Sequence, residues 1–272
     1  MPNFDEAGFL SDELGQWISA ARERYAALFE YADRVNAMAM RMMREIPMRD
    51  APEARAWAIA AFARALSAFQ SCVLLAERGA LSDARTLARL CAETTIVVKA
   101  LATDAGTLDA LREDDAKHEL GVCNRMIELG ANDARVDLAA YRTRKNEIEA
   151  QYPNRPNALK LTSLAAATGL ELLYEIAYRY TSGNAAHATL GAFMRHIRVG
   201  ENGEPDAFFF APDASDMVAT LHCAVVAVTE LLRVAIDHMG LQVGAAEFRD
   251  LLLHWQVIRP QIEAALAAES AA

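Results

Sequence analysis

The chain has 272 residues, of which 53% are hydrophobic, and a formal net charge of −10. This is enough apolar material for a sizeable core, and the acidic balance argues against a general nucleic-acid binder, because phosphate contacts need clustered lysine and arginine. The four cysteines lie far apart in apolar stretches with no CxxC pair, so we expect buried thiols in the reducing cytoplasm rather than disulfides or zinc ligands.

The first predicted elements form a long helical hairpin. Ser11 is a helix-capping residue, and apolar residues recur at helical spacing from there to about Ile46, a length on the order of 50 Å. A second helix is predicted from Pro52 to Arg78, where Gly79 supplies the stop. Because the connection is short, we expect the two helices to pair antiparallel over residues 11–78.

The stretch from Ser82 to Thr103 is predicted to be the central helix of the protein. It is apolar around most of its circumference, which predicts the most buried of the long helices, with Leu90 as a core residue. Its polar positions lie together at Arg85, Arg89 and Glu93. Arg89 and Glu93 are four residues apart on one helical face, so the sequence predicts an ion pair between them.

The remaining chain also reads as helical. Helices are predicted over 82–150 and 163–268, separated by a proline- and asparagine-rich loop at 151–160, and Asn202-Gly203 predicts a small β-hairpin near 198–212. We therefore predict an all-α fold, a single helical-bundle domain over residues 1–272. The start of the chain has no secretory pattern, and no run of eighteen uncharged apolar residues occurs, so we expect no signal peptide and no membrane span.

The most unusual local arrangement is the break in helical pattern between Tyr178 and His187. If Asn184 caps a new helix, His187 lies in its first turn, where the positive helix end favours a neutral imidazole that can accept a proton. Free backbone N–H groups there suit an anion, and Arg179 lies just upstream to supply charge. The plainer interpretation is a helix corner, in which Tyr178 packs and Ser182 is a cap.

Other chemical signals are weak. An Arg89–Glu93 pair can hold a phosphate or orient a histidine, but intrahelical pairs that orient a core are more frequent. The remaining histidines show no metal-ligand spacing, and no GxGxxG, P-loop or GxSxG motif occurs. We therefore expect neither a metal nor a cofactor.

Two segments, ARTLARLCAET and LYEIAYRYTSGNAAH, resemble a family of uncharacterised bacterial all-helical proteins, a domain of unknown function. The resemblance covers about residues 60–240. Its shared positions here are Arg89, Glu93, Tyr178, Ser182 and His187.

That family is in turn similar to HEPN-type helical domains, several of which are ribonucleases in toxin–antitoxin and phage-defence systems. Their signature is an arginine followed after four to six residues by a histidine, used across a dimer. In this chain the corresponding Arg179 and His187 are separated by seven residues.

Three functions follow from these observations. The first is a cytoplasmic binding protein in a stress or defence setting, whose small polar pocket near Arg89, Glu93, Ser182 and His187 takes a small anion or a protein partner. The second is a metal-independent ribonuclease with His187 as general base and Arg179 or Arg89 stabilising charge on the phosphate. The third is a structural bundle that forms homodimers.

Overall fold

The computed structural model describes residues 3–49, 51–131, 133, 135, 137–182, 189–240 and 244–271. The helices are α1 (Phe4–Ala7), α2 (Gly15–Arg24), α3 (Ala26–Glu45), α4 (Glu53–Glu77), α5 (Leu81–Thr103), α6 (Gly106–Gly130), α7 (Leu138–Gln151), α8 (Leu161–Thr168), α9 (Glu171–Leu173), α10 (Tyr180–Ser182), α11 (Leu190–Met194), α12 (Met217–His238) and α13 (Ala245–Ala271). A π-helix, Tyr174–Arg179, joins α9 to α10, and strands β1 (Ile197–Val199) and β2 (Pro205–Phe208) form a small antiparallel hairpin. The prediction of an all-α fold with one small β-hairpin is confirmed.

The N-terminal helical hairpin is present, but its first arm is broken. The predicted helix from Ser11 to Ile46 divides at Tyr25, whose backbone leaves the helical region at φ −111° and ψ 30°. The second arm, α4, matches its prediction closely. The arms run antiparallel, since Arg22 pairs with Glu77 at 2.8 Å and Gln70 donates to Asn36 at 2.9 Å.

Helix α5 occupies the central position predicted for it. It packs most extensively against α4 on one side and α12 on the other, and it also contacts α8 and the π-helix. The expectation that it is the most buried long helix is wrong, because a larger share of α12 is buried. The reason is composition: α12 carries valine, leucine and alanine on nearly every side, whereas α5 keeps a polar stripe.

The three consecutive phenylalanines, Phe208 at the end of β2 and the two residues that follow it, differ in their contacts. Phe210 packs against Phe9 at 5.4 Å and Phe4 at 6.1 Å between ring centroids, which ties the hairpin to the N-terminal segment. Phe209 lies under the Arg198 guanidinium, while Phe208 stacks on Phe210 and stays largely exposed.

Helices α4 and α12 are, by length and composition alone, apolar enough to cross a membrane. The most apolar window of α12 is 67% buried inside the protein, and that of α4 is 50% buried. Core helices of other proteins meet the same test, so these two helices are weak evidence for a membrane span.

The last helix, α13, is continuous through Pro260 rather than split there. It packs against α3 and α12, and its final turns reach the beginning of α12. This placement brings the C-terminal part of the chain beside the polar residues described next.

Candidate functional site

Two arginines of α5 face the segment that contains the π-helix. Arg85 and Arg89 are one helical turn apart and therefore share a side of α5. The Arg85 guanidinium lies over the Tyr180 ring, 5.0 Å from its centroid, and the Arg89 guanidinium lies 4.3 Å from the centroid of Tyr178. Arg89 also donates a hydrogen bond from Nη2 to the Tyr178 hydroxyl at 2.7 Å.

The π-helix positions the tyrosines. Its wider turn leaves the carbonyl of Ile176 to accept from the Cys223 thiol, with sulfur and oxygen 3.2 Å apart. Tyr174 and Tyr178 stack within it, with ring centroids 5.0 Å apart, and both rings pack against the hydrophobic core. Single π-helical turns occur frequently at functional sites, because they change the register in which side chains are presented.

Asp216 links α5 to the beginning of α12. It is the N-cap residue of α12, and its Oδ2 atom lies 3.4 Å from Arg85 Nη1 and also accepts from Arg195 Nη2. The Arg85 side chain is 1% exposed, that of Arg195 is 16% exposed and that of Asp216 is 25% exposed. Three distant parts of the chain therefore meet in one half-buried ion-pair network.

This network carries an excess of positive charge. We call Arg85, Arg89 and Arg195 the arginine cluster, and within the described part of the chain Asp216 is the one carboxylate paired with it. Arg85 Nε, Arg85 Nη1 and Arg89 Nε are buried and lack hydrogen bonds, since the Arg85–Asp216 contact is too poorly directed to satisfy Nη1. A buried donor without an acceptor costs free energy, and an anionic oxygen is an acceptor that suits a guanidinium group.

The predicted Arg89–Glu93 ion pair does not form. Arg89 turns instead to Tyr178, where it gains both a ring contact and a hydrogen bond. Glu93 is partly buried and has neither a hydrogen bond nor an ion pair in the portion of the protein that is described. The four-residue spacing of Arg89 and Glu93 in the sequence therefore predicted the wrong partner for Arg89.

Arg179, the arginine expected to assist catalysis, lies at the surface. Its side chain is 70% exposed and pairs with Glu175, one turn earlier, at 3.3 Å. His187 and Asn184 lie outside the described residues, and for Ser182 the backbone alone is described, as the end of α10. Of the predicted site residues, the structure thus brings together Arg89 and Tyr178.

Sequence reasoning missed three residues of the network. Arg85 precedes Arg89 by one turn, and this repeat was a usable signal that both arginines face the same neighbour. Asp216 precedes a strongly apolar helix, which is a recognisable N-cap position. For Arg195 the sequence offers no signal, because its contact with Asp216 depends on tertiary structure.

Two concave surfaces meet at Asp216. A groove of about 460 Å³ is lined by residues that include Arg195, Arg198 and Asp216. A larger cleft of about 780 Å³ lies between α12, α13 and the start of α3, and it includes Asp216 and Glu269. A small ligand in the groove meets Arg195 and Asp216, and one in the cleft meets Asp216; Arg85 and Arg89 line neither space.

No group of three or more histidine, cysteine, aspartate or glutamate side chains is arranged to hold a metal ion among the residues that the structure describes. The chemistry available in the network is therefore that of guanidinium groups, phenol hydroxyls and carboxylates. These groups bind and orient anions through charge-assisted hydrogen bonds.

The chain was compared with known proteins in three ways. Residues 55–205 match a family described as a family of unknown function, DUF5677, and this range contains α5, the π-helix and Arg195. No curated protein and no solved structure gives a significant match. Because the matched range is more than half of the 272 residues, the chain belongs to the DUF5677 family.

Proposed function

We propose that this protein binds a small anion of the phosphate class at the arginine cluster. The observation that carries the proposal is Arg85, a guanidinium that is 1% exposed and has two N–H groups without hydrogen bonds. Arginine is well suited to such a ligand, because its planar fork matches the oxygen geometry of phosphate.

The surroundings of the cluster support a ligand rather than a purely structural network. Arg85, Arg89 and Arg195 outnumber the two carboxylates at this place, Asp216 and Glu269, so these five side chains have a formal charge of +1 before any ligand enters. An anion offsets this charge and provides the acceptors that the buried N–H groups lack. The Tyr178 hydroxyl, already bound to Arg89, gives a neutral polar group beside the same site.

We propose the cytoplasm as the compartment of this protein, and a stress or defence response as its setting. The four cysteines are free and buried, which suits a reducing environment. Membership of the DUF5677 family adds no substrate or partner to this proposal.

A metal-independent ribonuclease is the second candidate function. What supports it is chain order: Arg89 contacts Tyr178, and His187 follows Tyr178 by nine residues in the sequence. In this version Arg89, rather than the exposed Arg179, stabilises the phosphate charge while His187 acts as general base.

Isothermal titration with inorganic phosphate and with sulfate tests the binding proposal. We expect Arg89→Ala to lower the affinity about tenfold or more, the scale of one charge-assisted hydrogen bond. Arg179→Ala is the matched control, because this exposed arginine is engaged with Glu175, and its affinity should equal that of the wild type. Failure of the wild type to bind either anion, or equal binding by wild type and Arg89→Ala, would contradict the proposal.

The ribonuclease candidate is tested on single-stranded RNA without added metal. Cleavage by the wild type that falls about a hundredfold or more in His187→Ala, with the unfolding midpoint unchanged, supports catalysis by that histidine. Anion binding without RNA cleavage leaves the binding function and removes the nuclease.

A further inference from the structure

The end of α13 occupies the first turn of α12. The Glu269 carboxylate accepts two backbone hydrogen bonds there, from the Val218 N–H at 2.9 Å and from the Ala219 N–H at 3.1 Å. The first N–H groups of a helix have no intrahelical partner and carry the positive end of its dipole. Glu269 is therefore an anion supplied by the chain itself to a helix end that suits anions.

The same helical turn belongs to the arginine cluster. Asp216, the N-cap residue of α12, holds Arg85 and Arg195, while the N–H groups of Val218 and Ala219 in the same turn hold Glu269. Burial raises the pKa of the Glu269 carboxyl above its usual value; the two backbone hydrogen bonds and the Arg85 charge oppose this rise, and the Asp216 charge adds to it. Glu269, Asp216 and Arg85 therefore interact electrostatically.

Arg85 gives an independent indication that a further anion suits this helix end. It is almost completely buried, it reaches Asp216 at the start of α12, and two of its N–H groups have no hydrogen bond. The chain's own two carboxylates at this turn do not satisfy those donors. A ligand that did so would lie close to both carboxylates and would be repelled by them.

We infer that Glu269 is an internal competitor, and that the last turns of α13 weaken anion binding at the arginine cluster by holding this carboxylate on the first turn of α12. The inference rests on the function proposed above and adds regulation of the same site. When the end of α13 withdraws, the N–H groups of Val218 and Ala219 become available to the ligand and one repelling charge leaves.

The cleft beside Glu269 reaches the first turn of α12 and Asp216, but Arg85, Arg89 and Arg195 do not line it. It has a volume of about 780 Å³, and its polar lining includes Arg24, Ser215, Asp216, Gln261 and Glu269. An anion that enters the cleft therefore meets the Glu269 carboxylate and the start of α12 together. The remaining wall is apolar, formed in part by Ile262 and Ala265 of α13.

The test compares Glu269→Gln with Glu263→Gln in the full-length chain, by titration with sulfate and with inorganic phosphate. The glutamine removes the charge at position 269 but keeps an oxygen that can accept from a backbone N–H. Glu263 lies on the same helix, is exposed, and pairs with Arg259 at 2.7 Å, so its variant controls for the loss of one negative charge. We expect Glu269→Gln to bind about threefold tighter or more, and Glu263→Gln to match the wild type.

The outcomes separate this inference from the binding function beneath it. If wild type binds and Arg89→Ala does not, but Glu269→Gln binds as the wild type does, the function stands and the competitor role is wrong. If the wild type binds, Arg89→Ala binds more weakly and Glu269→Gln binds more tightly, both are supported. If no variant binds, the proposed function fails and the inference fails with it. A urea midpoint for each variant identifies any loss of folding, and Glu269→Ala provides a second neutral variant if the glutamine unfolds the protein.

Discussion

The Arg89 guanidinium lies over the ring of Tyr178 and donates a hydrogen bond to the hydroxyl of that same side chain. One tyrosine thus meets the cation with both its aromatic face and its polar end. The ring also stacks on Tyr174 one turn earlier. These contacts attach the π-helix to α5, so the geometry of the arginine cluster depends on them.

Removing the hydroxyl of Tyr178 tests how much the hydrogen bond contributes. We expect Tyr178→Phe to lower the free energy of unfolding by about 1–2 kcal/mol, because a hydrogen bond to a charged donor is lost while the ring contact remains. Tyr174→Phe is the control, since the Tyr174 hydroxyl has no hydrogen bond among the described residues. Urea unfolding measures both, and equal midpoints for the two variants would contradict the assignment.

The buried Arg85 and the exposed Arg179 should differ sharply in their contribution to the free energy of unfolding. Arg85→Ala leaves a cavity and removes one of the two cations that hold Asp216, and we expect a loss of about 3 kcal/mol or more. Arg179→Ala breaks an exposed intrahelical pair, so its effect should stay within about 0.5 kcal/mol. Denaturant unfolding of the two variants under one buffer compares them, and similar losses would show that Arg85 is not a structural cation.

The positions of the main helices could be predicted because their signals are local. The apolar spacing of α4 and α5, with Gly79 between them, gives their bounds. The break at Tyr25 has no such signal: neither glycine nor proline stands there, and the Tyr25 hydroxyl instead makes a long contact of 3.4 Å with the Ala214 carbonyl. Tertiary packing decides that position.

The candidate site was less predictable for the same reason. Arg89 and Tyr178 were both recognised from short motifs, and they prove to be in contact. The partner of Arg89 was assigned wrongly, because helical spacing favours Glu93 and says nothing about a tyrosine brought in by a π-helix. Asp216 and Arg195 join the network through the fold, across long stretches of sequence.

Leu90 shows that a residue on the central helix α5 is not necessarily buried. The sequence places it in the core, whereas the structure leaves it partly exposed at the edge of the hydrophobic cluster. We expect Leu90→Ala to cost about 1–2 kcal/mol, and Leu231→Ala in α12, which is fully buried, to cost about 2–5 kcal/mol. Urea unfolding of the two variants shows which one loses more free energy of unfolding. A larger loss for Leu90→Ala than for Leu231→Ala would contradict the packing described.

Two glycines with the same backbone conformation provide a matched pair. Gly79 and Gly203 have φ values of +76° and +78°, but a Cβ atom at Gly79 would lie 2.7 Å from the Asp213 nitrogen, while none of the surroundings of Gly203 come within 4 Å. We expect Gly203→Ala to cost about 1 kcal/mol from backbone strain alone. Gly79→Ala should cost about 2–4 kcal/mol, since the backbone of Asp213 must also move. Thermal unfolding of the two variants measures this difference, and equal losses would mean that residues 212 and 213 do not pack on the α4–α5 turn.

The buried cysteines predict a pH dependence of both reactivity and stability. Burial raises the pKa of Cys91 to about 12 and that of Cys223 to about 11, and it raises the pKa of Cys72 as well. At pH 8 these thiols are almost entirely protonated, so a thiol reagent should label them only after denaturation.

The same cysteines should make stability depend on pH, because their thiols ionise near the ordinary thiol pKa in the unfolded chain but not in the folded protein. The free energy of unfolding should therefore be constant with respect to these groups below pH 8 and fall as the pH rises from about 9 toward 11. Labelling by mass spectrometry and urea midpoints across this range measure the two effects. Rapid labelling of Cys91 in the native protein at pH 8 would contradict the core packing of α4, α5 and α12, and a Cys91→Ser variant, in which no thiol remains at that position, identifies the labelled site.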